Sequence, residues 1–481
     1  MDLRAENLVS LDSKLDIVPI RAGHGRVLAT MILLLTDLVV LVLCAIAAMR
    51  ARQLLGVSVE MHLYYQLLPL LGVFAVVYAA MGLYPAFGCG PVEEFRRLTL
   101  GTSLAYLALG STSFLFKSGF ELSRGVFLLA WVFSLIAVPL GRAAVRAYLG
   151  KRPWWGESVL VLGAGKTGLL LTDALRSNPG LGLKPVALLD DDPGKRGVYQ
   201  GIPVLGRLEM AATHTDQLAV SHAIVAMPGI TRARLIQILT QYLRCYPRVT
   251  VIPELFGIPT MWVVSRDYEG VLALEIRNQL LQPSAQRLKR LIDVIISSIG
   301  LLLLFPLFAL IGLAIKLDSP GPVLYGDNRI GRKGQRLTAW KFRTMVVDAE
   351  QQLVRILHDD PEAARQYDIY HKLPNDPRVT RVGRWLRRWS LDELPQLWNV
   401  LRGEMSLVGP RAYLAREAPD MKEAARLILE VAPGITGLWQ VSGRNRISFA
   451  DRLRLDQYYV QNWSIWLDLY ILARTIPAVL S

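Results

Sequence analysis

Val294-Ile-Ile-Ser-Ser-Ile-Gly-Leu-Leu-Leu-Leu-Phe-Pro306-Leu-Phe-Ala-Leu-Ile-Gly-Leu-Ala-Ile315 is an apolar run of 22 residues with a proline near its middle. Lys289 and Arg290 flank it on one side and Lys316 on the other. A helix of that length can cross about 30 Å of hydrocarbon. Proline inside a helix removes a hydrogen bond and costs about 3 kcal/mol, so the helix kinks or ends there. Two topologies follow. A kinked spanning helix would place everything after Lys316 on the far side of the membrane. A re-entrant hairpin over 290–316, broken at Pro306, would return the chain to the side it came from. The residues before the proline reach roughly 18 Å, too short to cross but long enough to anchor. The hairpin keeps both basic flanks on the cytoplasmic side, and the sequence favours it.

Working upstream, four more apolar blocks run Val27–Met49, Leu63–Tyr84, Leu98–Phe116 and Val126–Tyr148. Each is near the length of a membrane span. Arg4, Lys14, Arg21 and Arg26 precede the first block, and Arg142, Arg146, Lys151 and Arg152 close the last. Four crossings with basic outer flanks put both ends in the cytoplasm, with Arg50 and Arg52 a mild counter-signal. The first 26 residues are polar and mixed in charge, and no cleavable signal peptide is expected there.

Composition agrees with a membrane protein. Hydrophobic residues make up 52% of the 481, and the formal net charge is +14. Beside apolar blocks, such a charge points to lipid headgroups and phosphorylated substrates rather than nucleic acid. Cys44, Cys89 and Cys245 are far apart, which excludes a disulfide framework and a thiolate metal cage.

Between the fourth block and the hairpin the texture becomes α/β. Ser158–Leu162 reads as a strand entering Gly163-Ala-Gly-Lys-Thr-Gly168, followed by a helix to about Arg176. A second strand, Pro185–Leu189, ends in Asp190-Asp-Asp192. Further strands are expected at Ala223–Met227 and Val249–Ile252, with a helix at about Arg232–Leu243. Gly163, Gly165 and Gly168, with Asp190 22 residues after the last of them, fit a dinucleotide-binding fingerprint. No Tyr-x-x-x-Lys follows, so a dehydrogenase would lack its usual base. A ligand-free structural domain, a regulatory nucleotide site and redox chemistry all stay open. The aspartates also pass for a metal-binding D-x-D, although ribose contact or simple capping suits a strand end better.

Downstream, Trp389-Ser-Leu-Asp-Glu-Leu-Pro-Gln-Leu-Trp-Asn-Val-Leu-Arg-Gly-Glu-Met-Ser-Leu-Val-Gly-Pro-Arg411 places Asp392 and Glu393 at a helix start. Adjacent helical residues point about 100° apart, so these two cannot flank one bond as a glycosidase pair does. Ser390 and Glu393 fit a capping box, or Pro395 takes the first helical position. Either arrangement sets the carboxylates by a positive helix end, which favours their ionised form. An ionised carboxylate can attack phosphorus and hold it as an acyl phosphate. Such an attack needs nearby cations, for which Lys341, Arg343 and Arg411 are the candidates. With no His or Cys cage, a carboxylate-held Mg²⁺ is the expected metal, on Asp392 and Glu393. Arg381–Trp389, and Trp463, Trp466 and Tyr470, mix aromatics and cations in a way that suits the headgroup layer.

From about residue 284 onward the chain resembles the monotopic polyprenyl-phosphate phosphoglycosyl transferases, bacterial sugar transferases that initiate surface-glycan synthesis. The residues that carry the resemblance are Lys289-Arg290-x-x-Asp293, the break at Pro306, Lys341-Phe-Arg-Thr-Met345 and Ser390-Leu-Asp-Glu-Leu-Pro-Gln396. Gly403-Glu-Met-Ser-Leu-Val-Gly-Pro-Arg411 and Pro433-Gly-Ile-Thr-Gly-Leu-Trp-Gln440 continue it. The segments ahead resemble the long subclass, which includes undecaprenyl-phosphate galactose and glucose phosphotransferases. Two positions depart from the family pattern: Phe305 stands where Ser is common before the proline, and Ala412 stands where Pro commonly follows Gly-Pro-Arg.

The resemblance implies a domain order of cytoplasmic segment 1–26, four-helix transmembrane region 27–150, Rossmann-like α/β domain 156–265, linker 266–283 and catalytic domain 284–481. The fold class is then a membrane α-helical bundle, a Rossmann-like α/β domain and a mainly α, membrane-anchored catalytic domain with a re-entrant helix hairpin. By the same likeness Asp392 is the nucleophile of a covalent sugar-phosphate intermediate, and Glu393 supports Mg²⁺ and the lipid-phosphate step. Lys341 and Arg411 contact substrate phosphates. The implied partners are a UDP-hexose (galactose or glucose), undecaprenyl phosphate, membrane lipid and a second copy of the chain. The implied place is the bacterial inner membrane with the catalytic domain facing the cytoplasm, and the implied task is the first membrane step of O-antigen, capsule or exopolysaccharide synthesis. The alternatives are a membrane-tethered, NAD-dependent nucleotide-sugar enzyme and a non-catalytic assembly scaffold.

Overall fold

The computed structural model describes residues 24–56, 68–84, 87–115, 123–213, 220–253, 263–268, 271–276, 280, 283–360, 365, 373, 376–443 and 447–480. It divides into two compact units, Met1–Phe256 and Gly257–Ser481.

The first unit begins with helices α1 (His24–Leu54), α2 (Leu71–Ala80), α3 (Pro91–Leu115) and α4 (Arg124–Leu149). Of the four spans expected, two, Gly25–Leu54 and Arg124–Leu149, are long and apolar enough to cross a membrane. The ordered helix of the second block has 10 residues, and positions 57–67 lie outside the described residues. Helix α3 starts earlier than its apolar block and carries Glu93 and Glu94 in its first turn. One face of each helix fills a shared core of Leu41, Phe74, Tyr78, Leu98, Ala105, Val126 and Val138. The opposite faces leave Leu35, Leu43, Leu107, Leu128 and Leu140 exposed, as a lipid-facing surface requires.

Deep in this bundle lies a charge network. Arg142 forks onto Asp37 through Nε at 2.8 Å and Nη2 at 2.5 Å. Its Nη1 reaches Glu94 and the Leu83 carbonyl, each at 3.1 Å. Tyr84 donates to Asp37 at 2.6 Å. Arg146 shares Glu94 at 2.9 Å and donates to the Gly180 carbonyl at 2.6 Å, tying α4 to the α/β domain that follows.

That domain holds β1 (Glu157–Leu162), α5 (Lys166–Ser177), β2 (Leu183–Leu189), β3 (Gly197–Tyr199), β4 (Ile202–Gly206), β5 (His222–Val225), α6 (Arg232–Gln237) and β6 (Arg248–Val251). The strands form one sheet in the order β3-β4-β2-β1-β5-β6. Only β3 runs antiparallel to its neighbour. Strands β1, β2 and β5 are buried on both faces, which is why they read as unbroken apolar runs. Strands β3 and β4 were not legible: both are short, β3 is exposed at the sheet edge, β4 buries only alternate residues, and a Gln200-Gly201 turn separates them.

In the second unit, β7 (Val263–Tyr268) and β8 (Val271–Ile276) pair as an antiparallel hairpin, where the sequence suggested a domain end and a linker. Helix α7 (Pro283–Asp318) follows, with Pro306 inside it. Its N-terminal half is fixed by side chains. Arg290 donates to the Val400 and Leu401 carbonyls, and Asp293 accepts from Ser406 Oγ at 2.8 Å and the Leu407 amide at 3.1 Å. At the far end Asp318 accepts from the Val382 amide at 2.9 Å. Just before the proline the helix is bare, with Leu302, Leu303 and Phe305 at least 70% exposed, whereas Leu307 and Phe308 after it pack toward Phe342.

The remaining elements are the antiparallel pair β9 (Leu324–Ile330) and β10 (Arg336–Phe342), helices α8 (Ala349–Asp359), α9 (Arg381–Arg388) and α10 (Gln396–Arg402), the parallel pair β11 (Ser406–Val408) and β12 (Gly434–Thr436), and helices α11 (Phe449–Gln461) and α12 (Ile465–Leu480). The β11–β12 ends come so close that a Cβ on Gly434 would stand 2.1 Å from the Gly409 nitrogen, so no larger residue fits. The tail aromatics correct the headgroup-layer expectation in part. Trp463 is 3% exposed and its indole donates to Asp468 at 3.0 Å, making it a core residue. Trp385 and Trp398 are the half-exposed tryptophans of this unit.

Candidate functional site

A cavity of about 1200 Å³ opens between the β9–β10 pair, helix α8, and the 390–396, 411–412 and 434–440 segments. Asp392, Glu393, Lys341, Arg343 and Arg411, the residues singled out from sequence, all line it. Pro306 does not.

Asp392 and Glu393 occupy a one-turn 3₁₀ segment, Leu391–Glu393, ahead of α10. The capping box is not formed. Ser390 is left-handed (φ 50°, ψ 25°) and makes no side-chain capping bond. Pro395 is the residue before the helix rather than its first member. The expected helix-end stabilisation of both anions gives way to local surroundings. Burial pushes the Asp392 carboxyl above its ordinary value, Glu393 pushes the same way, and Lys341 and Arg387 oppose them. Glu393 instead accepts from Lys341 Nζ at 2.8 Å.

Lys341 projects from β10 toward both acids of this wall, standing 4.0 Å from Asp327 on β9. Asp327 also takes Nε and Nη2 of Arg329, at 2.9 and 2.5 Å. Arg343 has a different task from the one expected. It is 6% exposed, and its Nη atoms donate to the Pro320 and Ser319 carbonyls, both at 2.7 Å. Those bonds hold the chain as it leaves α7, so its guanidinium braces the cavity wall.

Arg387 is the cation that sequence reading missed. It belongs to the Arg-Trp run taken as a headgroup-layer feature, yet it lines the cavity and its Nε donates to Thr344 Oγ1 at 2.9 Å. Burial lowers its pKa, and the nearby Asp392 and Asp376 counter that. Its position five residues before Asp392, on a different short helix, carried no periodic signal. Arg411 enters from the β11 exit with its guanidinium 5.2 Å from the Trp439 ring centre and 3.8 Å from Glu417.

Among the described residues there is no group of three or more acidic, histidine or cysteine side chains that would hold a metal on its own. Mg²⁺ commonly takes one or two carboxylates and completes its shell with water and substrate phosphates. Asp392 and Glu393, adjacent and facing a cationic cavity, fit that smaller demand.

The glycine loop of the first unit forms the expected strand–loop–helix. Gly168 packs so tightly that an added Cβ would lie 1.8 Å from the Gly163 carbonyl. Gly163 takes φ +104° and Gly165 precedes α5. Asp190, however, turns back on the loop, accepting from the Ala164 amide at 2.7 Å, the Asp192 amide at 3.0 Å and Lys195 at 3.1 Å. Burial would raise its pKa, but these bonds prevail and hold it below the ordinary value. The two ends of the D-x-D, Asp190 and Asp192, both face Lys195, at 3.1 and 3.8 Å, and Asp191 is engaged by Arg234 at 2.7 Å, a cation-filled setting that argues against the metal reading. Three of the roughly four acceptor positions of the Asp190 carboxylate are thus taken by its own loop.

Comparison with known proteins covers both units. The CoA-binding domain family matches residues 79–253, and the bacterial sugar transferase family matches residues 284–481. A UDP-galactose-lipid carrier transferase of Erwinia amylovora is 37% identical over 398 residues, 81% of each chain. An undecaprenyl-phosphate galactose phosphotransferase of Salmonella typhimurium is 35% identical over 366 residues, 75% of this chain and 76% of that one. A UDP-glucose:undecaprenyl-phosphate glucose-1-phosphate transferase of Escherichia coli is 29% identical over 428 residues, covering 86% and 88%. The carboxylate pair, its cations and the helices ahead of it thus have one common setting: the chain belongs to the bacterial sugar transferases, of the long type.

Proposed function

We propose that this transferase moves a hexose-1-phosphate from a UDP-hexose, UDP-galactose or UDP-glucose, to undecaprenyl phosphate and releases UMP. The observation that carries the reading is Asp392: a half-buried carboxylate in a cavity that also holds Lys341, Arg387, Arg329 and Arg411. Its oxygen attacks the phosphorus bearing the sugar, and the bond from that phosphorus to UMP breaks, the electron pair leaving with UMP. The acyl phosphate then meets an oxygen of the lipid phosphate, which forms the new P–O bond and frees the Asp392 carboxylate. One phosphoanhydride replaces another. Preplaced cations favour the charge that builds on the phosphoryl oxygens. Lys341, now held by Glu393, is positioned to exchange that partner for a phosphate. Mg²⁺, held by Asp392 and Glu393, would neutralise diphosphate charge. The NAD-dependent alternative meets an Asp190 already engaged by the Ala164 and Asp192 amides and by Lys195, which supports the transferase reading over it.

A screen of UDP-hexoses with Mg²⁺ and the purified chain tests the proposal. UMP should appear catalytically only with polyprenyl phosphate added. Absence of UMP with every UDP-sugar would sink it. Arg387→Gln removes one of the two cations that hold the Asp392 pKa down. Since the nucleophile must be ionised, the acid limb of the pH–rate profile should move to higher pH in that variant. An unmoved limb would detach Arg387 from Asp392.

The same proposal places the protein in the bacterial inner membrane, with four crossings ahead of a cytoplasmic catalytic domain, and pairs it as a homodimer by its likeness to the long subclass. The re-entrant hairpin has support in the bonds at the two ends of α7. Arg290 donates to the Val400 and Leu401 carbonyls and Asp318 accepts from the Val382 amide, so both ends are tied to the same unit, while Leu302, Leu303 and Phe305 between them are exposed. A spanning helix would put those ends on opposite faces of the membrane. Cysteines introduced at Ser284 and Pro320, with Cys44, Cys89 and Cys245 replaced, should both be labelled only from the cytoplasmic face. Labelling of position 320 from outside would restore the spanning helix.

A further inference from the structure

Helix α11 lays two side chains, Arg452 and Asp456, one turn apart behind the wall that carries Arg411. Asp456 has no exposed surface. One of its oxygens, Oδ2, accepts both the Arg411 amide at 3.0 Å and the Tyr413 hydroxyl at 2.8 Å. The other, Oδ1, is buried without a hydrogen-bond partner among the described residues. On the far side of the turn, the Arg411 and Arg452 guanidiniums lie 5.2 and 4.6 Å from the centre of the same Trp439 ring.

A neutral acceptor would serve the two donors without the cost of burying a charge. What the carboxylate adds is negative charge beside two guanidiniums that share one indole. Burial weighs most against the Arg411 charge, Glu417 at 3.8 Å supports it, and Arg452 and Arg329 repel it; Asp456 sets a second anion behind the turn.

We infer that Asp456 is a positioning residue: it fixes the Pro410–Tyr413 turn and balances its charge, so that the Arg411 guanidinium faces the cavity and meets a substrate diphosphate. The inference rests on the reading of this cavity as a sugar-nucleotide site, and it adds a residue that touches no substrate. Burial lifts the Asp456 carboxyl to about 6, against the pull of Tyr413, the Arg411 amide, Arg452 and Arg411. Tyr459, on the same helix, also feels the Asp456 charge. Below that pH the charge is lost while the oxygen can still accept, which is also what an asparagine provides.

Calorimetric titration with UDP tests this without requiring turnover. The full chain in nanodiscs is compared with Asp456→Asn, Arg411→Ala and the double variant. Asp456→Asn should weaken UDP binding by about 10-fold, a typical effect of a supporting residue. The double variant should bind no more weakly than Arg411→Ala alone. The ratio of wild-type to Asp456→Asn affinity should also shrink toward one below about pH 6. Losses that multiply in the double variant, or a ratio flat with pH, would overturn the inference. Should Asp456→Asn fail to fold, Tyr413→Phe removes one of the two bonds to the same oxygen, and Arg411→Ala must mask its effect in the same way. UDP binding that behaves as stated in a protein that never releases UMP would sink the transferase reading and leave this one standing.

Discussion

Asp392→Asn in the full chain is expected to cut polyprenyl-phosphate-dependent UMP release by at least about 10³-fold, the scale on which loss of a nucleophile is felt. The substitution keeps the shape of the side chain and removes the charged oxygen that forms the bond to phosphorus. It should leave the fold intact, and the sign of the pKa shift says why. A carboxyl whose folded pKa lies above its unfolded value binds its proton more tightly when folded. It therefore contributes stability only at low pH and costs stability once ionised, as pH rises through the window between the two values. Replacing it by a neutral amide at pH 7 relieves that cost, so the thermal midpoint should hold or rise. Wild-type protein given UDP-hexose without lipid phosphate should carry a hydroxylamine-sensitive phosphosugar on Asp392, and the variant none. Turnover of Asp392→Asn at more than a tenth of the wild-type rate would remove Asp392 from the chemistry.

Arg142→Met is expected to destabilise the first unit by about 3–5 kcal/mol, the usual result of removing one partner from a buried ion pair. Arg142 and Asp37 are each about 1% exposed, so water cannot replace the lost bonds. The variant would leave Asp37 with Tyr84 as its remaining donor in the network, and the Leu83 carbonyl would lose the Arg142 bond. Tyr84 and Tyr78 would lose the guanidinium that stands 5.1 and 5.8 Å from their ring centres. Combining Arg142→Met with Asp37→Leu should recover part of the loss, because Arg146 still balances Glu94 at 2.9 Å. Thermal unfolding in nanodiscs gives the order: wild type, then the double variant, then Arg142→Met. A single variant as stable as wild type would mean that the network adds nothing beyond apolar packing.

The sequence showed the parts of the fold that local rules control. Strands β1, β2 and β5 stood out as short apolar runs, because a parallel strand buried on both faces has no polar side to show. Edge strand β6 showed through its two valines, and the apolar helices through the length of their unbroken runs. Asp392, Glu393, Lys341 and Arg411 were legible as chemistry, since carboxylates and cations near a glycine turn are rare in an apolar setting. Other residues looked alike in sequence and parted in space. Arg343 and Arg387 both stand near motif residues, but Arg343 spends its donors on the carbonyls of Ser319 and Pro320, while Arg387 stands beside Asp392. Trp463 and Trp385 both sit among aromatics and charges, yet one is buried and the other half exposed.

By itself the amino-acid order determined the succession of apolar helices, α/β sheet and carboxylate-bearing segment, because hydrophobic periodicity and turn chemistry act over a few residues. Tertiary structure alone decided which cation meets which acid and which carboxylate turns back on its own loop. It also decided that Asp392 lies half-buried and harder to ionise rather than eased by a helix end. Those outcomes depend on desolvation and on distances between segments far apart in the chain, and no local pattern encodes either.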